Sequence, residues 1–124
     1  MEPTKKILII DDDNGIRKLL ACRLASLDYE PLMAESGCAG LTMAKDSRPD
    51  LVILDLRLPG IPGEEICKAI REDQDKQFAK TPIIMLTSKT DDVDRVIGKV
   101  VGANCYMTKP FKADELAEQI HKLT

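Results

Sequence analysis

Five residues scattered along the chain have side chains that together could move a phosphoryl group. Asp11 and Asp12 follow the apolar run Ile7-Leu8-Ile9-Ile10, and Asp55 follows Leu51-Val52-Ile53-Leu54. Thr87 follows Ile83-Ile84-Met85-Leu86, and Lys109 follows Cys105-Tyr106-Met107-Thr108. Three carboxylates, a hydroxyl and a lysine suit a divalent cation beside a phosphoryl group: the acids bind the metal, while the hydroxyl and ammonium neutralise phosphoryl oxygens. None of these side chains is informative alone. An Asp after a strand is often the N-cap of the next helix, and Asp13 is expected to have that duty. Asp55 resists that reading, because Pro59-Gly60 postpones the next helix and leaves it nothing adjacent to cap.

For these residues to meet, the runs that carry them must end at one edge. Continuous rather than alternating apolar runs suit parallel strands covered by helices on both faces. Parallel strands finish on the same side of their sheet, where open α/β sheets place ligands. Between the strands lie helical patterns. Ile16, Leu19, Leu20, Leu24 and Leu27 make an apolar stripe at helical spacing. Glu30 to Ala34 is a weak strand with Pro31 in it, which suits a sheet edge. A helix is expected from about Ser36 to Lys45. Pro62 can open another in which Ile66, Cys67 and Ile70 face inward. Glu72 to Lys80 reads as a surface connection. Two further helices are expected, over 91–101 ending at Gly102, and from Ala113 to the C-terminus. The alternation gives five β–α units in one domain, residues 1–124, and favours a five-stranded parallel doubly wound sheet.

Composition narrows the function classes. The chain has 124 residues, 31% of them charged, and a net charge of −3. An acidic chain argues against direct nucleic-acid binding, which favours a basic face. No apolar run approaches the roughly 20 residues that span a bilayer, so no membrane association is expected. The first residues lack the apolar segment of a signal peptide, which points to a cytoplasmic protein. Cys22, Cys38, Cys67 and Cys105 form no CxxC pair and read as buried reduced thiols. His121, the only histidine, is expected on the surface near the end of the last helix.

At the level of these motifs the chain resembles the receiver domain of two-component response regulators, over essentially its whole length. The carriers are Ile9-Ile10-Asp11-Asp12-Asp13, Leu54-Asp55-Leu56-Arg57-Leu58-Pro59-Gly60, Met85-Leu86-Thr87-Ser88, and Gly102-Ala103-Asn104-Cys105-Tyr106-Met107-Thr108-Lys109-Pro110-Phe111. Each is weak alone; all four in order are highly specific. The resemblance implies the flavodoxin-like strand order 2-1-3-4-5. It also implies magnesium, with manganese as a substitute, held by Asp12, Asp55 and the backbone carbonyl of Arg57, with Asp11 acting largely through water. Asp55 is then the nucleophile and phosphoacceptor, taking a phosphoryl group from a histidine kinase, a phosphotransfer protein or a small acyl phosphate. Asp55, Thr87 and Lys109 form the catalytic set, and no organic cofactor is implied.

The resemblance further implies a cis peptide before Pro110 and a switch in which Tyr106 turns inward once Thr87 is drawn to the phosphoryl group. Output would pass through the face formed by the 91–101 helix, the fifth strand and the last helix. Arg57 and Lys89 would overhang the mouth of the site. Such a protein would not be an enzyme with an external substrate; it would catalyse only its own phosphorylation and dephosphorylation. Val93-Asp94-Arg95-Val96-Ile97-Gly98 resembles regulators that carry a winged-helix DNA-binding domain. Those regulators usually have an acidic pair after Gly-Ala that serves a dimer interface, whereas Asn104-Cys105 stands here. No output domain is present within 1–124, so the downstream partner is either a separate protein or a missing C-terminal domain. Two alternatives remain. Asp11-Asp12-Asp13 contains the Asp-x-Asp of haloacid-dehalogenase-like phosphatases, although those place the nucleophile after the first strand and add a cap domain. A phosphorylation-independent pseudo-receiver is the other, although such proteins typically lose site residues that are all present here. Flavin is disfavoured, because three carboxylates would repel its phosphate.

Overall fold

The computed structural model describes residues 4–88, 102–109 and 111–124, with the backbone alone at Thr87 and Ser88. Five parallel strands, β1 (Lys6–Ile10), β2 (Glu30–Ala34), β3 (Leu51–Asp55), β4 (Ile83–Ser88) and β5 (Cys105–Lys109), form one sheet in the order β2-β1-β3-β4-β5. The described helices are α1 (Asn14–Ser26), α2 (Gly37–Ser47), α3 (Gly63–Arg71) and α4 (Ala113–Leu123). The helix expected over 91–101 lies outside the described residues.

The apolar runs are buried on both faces, and their period of two sorts them between two cores. Leu8 and Ile10 of β1, Val52 and Leu54 of β3, and Ile83 and Met85 of β4 pack with Ala44, Ile66, Cys67 and Ile70 of α2 and α3. The alternate residues Ile7, Ile9, Leu51, Ile53, Ile84 and Leu86 pack with Leu20 and Leu24 of α1 and with Leu116 and Ile120 of α4. A one-residue slip of any central strand would exchange its two faces, so the register is strongly specified.

The edge strand tolerates its proline for a geometric reason. Glu30 N–H donates to Lys5 O at 2.8 Å and Ala34 O accepts from Asp11 N–H at 3.2 Å, so these residues of β2 face β1. Pro31, one residue along, turns its missing donor to the free edge, where no ladder bond is lost.

Four expectations change. The stripe of α1 is narrower than its spacing suggests: Leu20 and Leu24 are buried, but Leu19 is 61% and Leu27 38% exposed. Pro62 is the N-cap of α3 rather than a first-turn residue, with Gly63 beginning the helix. The polar stretch 72–80 is not wholly a surface connection, because it ends in a 3-10 turn, Phe78–Lys80, whose Phe78 is buried under Arg48. Cys22 and Cys38 are exposed, and only Cys67 is fully buried. None of the four forms a disulfide.

Candidate phosphoryl-transfer site

Each strand delivers its last residues to one edge of the sheet. β1 ends at Ile10, with Asp11 immediately beyond it. β3 ends on Asp55, which pairs in register with Leu86. β5 ends on Lys109, which pairs with Ser88. Topology therefore brings together residues 98 and 54 positions apart: Lys109 Nζ lies 3.0 Å from Asp11 Oδ2 and 3.2 Å from Asp55 Oδ2. Asp11 is 1% and Asp55 5% exposed, whereas Asp12 is open to solvent. One carboxylate oxygen from each of Asp11, Asp12 and Asp55 falls within 4.8 Å of the others. Such a set of hard oxygen donors, buried on one side and open on the other, fits a partly hydrated magnesium ion, which keeps several of its waters. Manganese, also suited by oxygen ligands, fits the same donors.

Electrostatics make the site tense without a metal. Burial raises the Asp55 pKa above its ordinary value, the Asp11 charge raises it further, and Lys109 with the Arg57 N–H only partly offsets them. For Lys109, burial pulls the pKa down. The hydrogen bond to Asp11 and the charges of both carboxylates outweigh it, and the net direction is up. The ammonium is thus held charged between Asp11 and Asp55, the latter an acid whose charged form burial disfavours.

The surrounding loops are shaped to hold the carboxylates. Asp13 caps α1, its side chain accepting from Gly15 N–H at 2.8 Å and Ile16 N–H at 3.2 Å. Its own N–H donates to Asp11 Oδ1 at 2.9 Å. Arg57 N–H donates to Asp55 Oδ1 at 3.1 Å. Together with Lys109, these bonds engage both oxygens of each buried acid. After Asp55 the chain turns through Gly60, at φ 78°, a conformation glycine adopts without a steric penalty. It then packs the start of α3 directly against the end of β3. A Cβ on Gly63 would lie 2.3 Å from Asp55 O and 2.7 Å from Leu56 Cα, both backbone atoms.

Asp11, Asp12, Asp55 and Lys109 are therefore brought together as expected. Thr87 stands near the end of β4, opposite Thr108 on β5. Tyr106, opposite Met85, packs partly buried against the α2/α3 core. Arg57 is exposed beside the cluster. Pro110 and Lys89 lie outside the described residues. Sequence reading overlooked Arg17, whose Nη1 donates to the Asp11 carbonyl at 2.7 Å and Nη2 to Asn14 Oδ1 at 3.1 Å. The legible signal was its place one turn into a helix capped by Asp13, because helical side chains lean toward the N-terminus. Asn104, noted only as a missing acid, ties the start of β4 to α3. Its Oδ1 accepts from Arg71 Nη2 and from Ile83 N–H, each at 2.8 Å.

Comparison with known proteins agrees with this geometry. The family model for the response regulator receiver domain matches residues 7–121. The chain is 40% identical over 116 residues to the DNA-binding response regulator MtrA of Mycobacterium tuberculosis, covering 94% of this chain and 49% of that protein. It is equally similar to the alkaline phosphatase synthesis transcriptional regulatory protein PhoP of Bacillus subtilis, covering 94% of this chain and 47% of that one. It thus spans about half the length of these relatives. A putative response regulator from Chloroflexus aurantiacus superposes with a TM-score of 0.91 at 34% identity, over 98% of both chains. The chemotaxis response regulator CheY4 of Vibrio cholerae superposes with a TM-score of 0.88 at 33% identity, over 98% of this chain and 100% of that one. With the acidic cluster, the strand order and the match over 7–121 in agreement, the chain belongs to the response regulator receiver domain family, the phosphorylation-activated signalling switches of two-component systems.

Proposed function

We propose that residues 1–124 form one receiver domain in which Asp55 accepts the phosphoryl group. One observation carries this reading: Lys109 reaches the buried Asp55 and Asp11 simultaneously. An Asp55 oxygen bonds to phosphorus as the N–P bond of a phosphohistidine breaks, and the bonding pair leaves on the imidazole nitrogen, which then takes a proton. With a small acyl phosphate the leaving group is the carboxylate. Lys109 turns from the free carboxylate to a phosphoryl oxygen, and Thr87 donates to another. In such transfers the protein mainly positions groups and neutralises charge. Asp11, Asp12, Asp55 and the carbonyl of Arg57 would hold magnesium, which when bound supplies positive charge beside the phosphoryl oxygens. Water attack on phosphorus later returns Asp55 and inorganic phosphate. The protein therefore acts catalytically on itself alone.

The donor is a sensor histidine kinase or a phosphotransfer protein, in the cytoplasm. Thr87 and Tyr106 would pass the change to the face of residues 91–101, β5 and α4. The receiver of that signal is an output domain or a separate protein. The former is favoured by the chain's spanning only half the length of relatives described as DNA-binding. Intact mass spectrometry with acetyl phosphate and magnesium tests the acceptor: the parent should gain one phosphoryl group and Asp55→Asn none. Undiminished labelling of that variant would place the nucleophile elsewhere.

A further inference from the structure

We propose that Arg17 is a positioning residue for the cation site, acting through the backbone between Asp11 and Asp12. This rests on the reading of Asp11, Asp12 and Asp55 as magnesium ligands. The two buried acids are held by their own side-chain bonds. Asp12 is different: it is exposed and forms no hydrogen bond or ion pair with another described residue. Its place in the cluster therefore depends on its own backbone, beginning with the peptide that precedes it. That peptide lies beyond the last residue of β1, outside the regular strand, and its carbonyl is gripped by Arg17 Nη1 at 2.7 Å.

Arg17 is itself well anchored. Its backbone N–H donates to Asp13 O at 3.0 Å, and its second arm donates to Asn14 Oδ1 at 3.1 Å. Arg17 is half-buried, and its planar fork spans the loop from Asp11 to Asn14. A charged donor on a carbonyl is among the stronger hydrogen bonds. Fixing the Asp11–Asp12 peptide plane fixes where the Asp12 N and Cα sit, and so narrows the positions its carboxylate can reach by rotation about φ and χ1. Groups that orient metal ligands without touching the metal commonly change affinity about 10–100-fold when lost.

Charge alone predicts the opposite. Removing a cation near three carboxylates should tighten the binding of another cation, so a loss of affinity would report geometry. Magnesium would be titrated by calorimetry into the 124-residue chain, well below its melting temperature, for the parent, Arg17→Met, Arg17→Lys and Asp12→Asn. Arg17→Met, which removes the donors and charge while keeping a good helix former, should raise the magnesium Kd about tenfold. Arg17→Lys keeps the charge without the fork and should fall between the two. Unchanged or tighter binding by Arg17→Met would overturn the proposal. Should that variant fail to fold, parental affinity in Arg17→Lys would overturn it. Asp12→Asn separates the two readings: if it leaves affinity unchanged, the metal site itself is misassigned and the Arg17 proposal falls with it. If it weakens binding while the Arg17 variants do not, only the Arg17 proposal fails.

Discussion

Replacing Lys109 by methionine should destabilise the metal-free protein, because Lys109 is the cation between two buried carboxylates. Its Nζ is 3.0 Å from Asp11 and 3.2 Å from Asp55, both nearly inaccessible. At an effective dielectric of 20, each pair attracts by about 5 kcal/mol before desolvation is counted. Desolvation cancels most of that, and breaking a fully buried pair costs about 3–5 kcal/mol. The Lys109 side chain keeps 27% of its surface exposed, which moves the expectation down to about 2–3 kcal/mol. For a chain of this size that is a fall in Tm of about 8–12 °C. Thermal unfolding in EDTA at pH 7 would measure it. The deficit should shrink toward pH 4, as protonation of Asp55 relieves the repulsion that Lys109 otherwise offsets. Magnesium should also raise the Tm of Lys109→Met more than that of the parent. An unchanged or higher Tm in EDTA would refute the idea that Lys109 compensates a strained pair of acids.

Asp55→Asn should stabilise the metal-free fold at pH 7, since the raised pKa means that the fold favours the uncharged carboxyl. The sign runs opposite to that of a salt-bridged acid. The destabilisation is absent below the unfolded value near 3.8, grows as pH rises to the folded value, and is constant above it. Denaturant midpoints for parent and variant should thus diverge between pH 4 and pH 7; a less stable variant at pH 7 without metal would contradict this. Gly63→Ala should cost about 3 kcal/mol, because the added Cβ meets backbone rather than a yielding side chain. It should also slow labelling by acetyl phosphate through displacement of Asp55; parental stability and labelling would show that α3 shifts away freely.

Much of the molecule was legible in residue order. Strand positions and the convergence of Asp11, Asp12, Asp55 and Lys109 followed from continuous apolar runs ending in polar residues, whereas the strand order came from the family resemblance. Asp13 as a cap followed from local hydrogen-bonding chemistry, which does not depend on distant parts of the chain. Where reading failed, the deciding neighbour was remote or was backbone. The spacing of Leu19 and Leu27 matches a helix face, but only the packing against β1 and β3 shows that Leu20 and Leu24 are the residues that enter the core. Phe78 sits in a polar stretch, and its burial comes from the core it joins, remote in sequence, with Arg48 thirty positions away stacked over its ring. Gly63 resembles any turn glycine until α3 is seen pressed onto the end of β3. Arg17 and Arg71 drew no sequence reading, because their partners are mostly carbonyl oxygens, which every residue carries and no sequence pattern marks. Residue types thus determined which chemistry the chain can perform. Only the packed structure decided which acid is buried, which cation compensates it and which backbone atoms hold both in place.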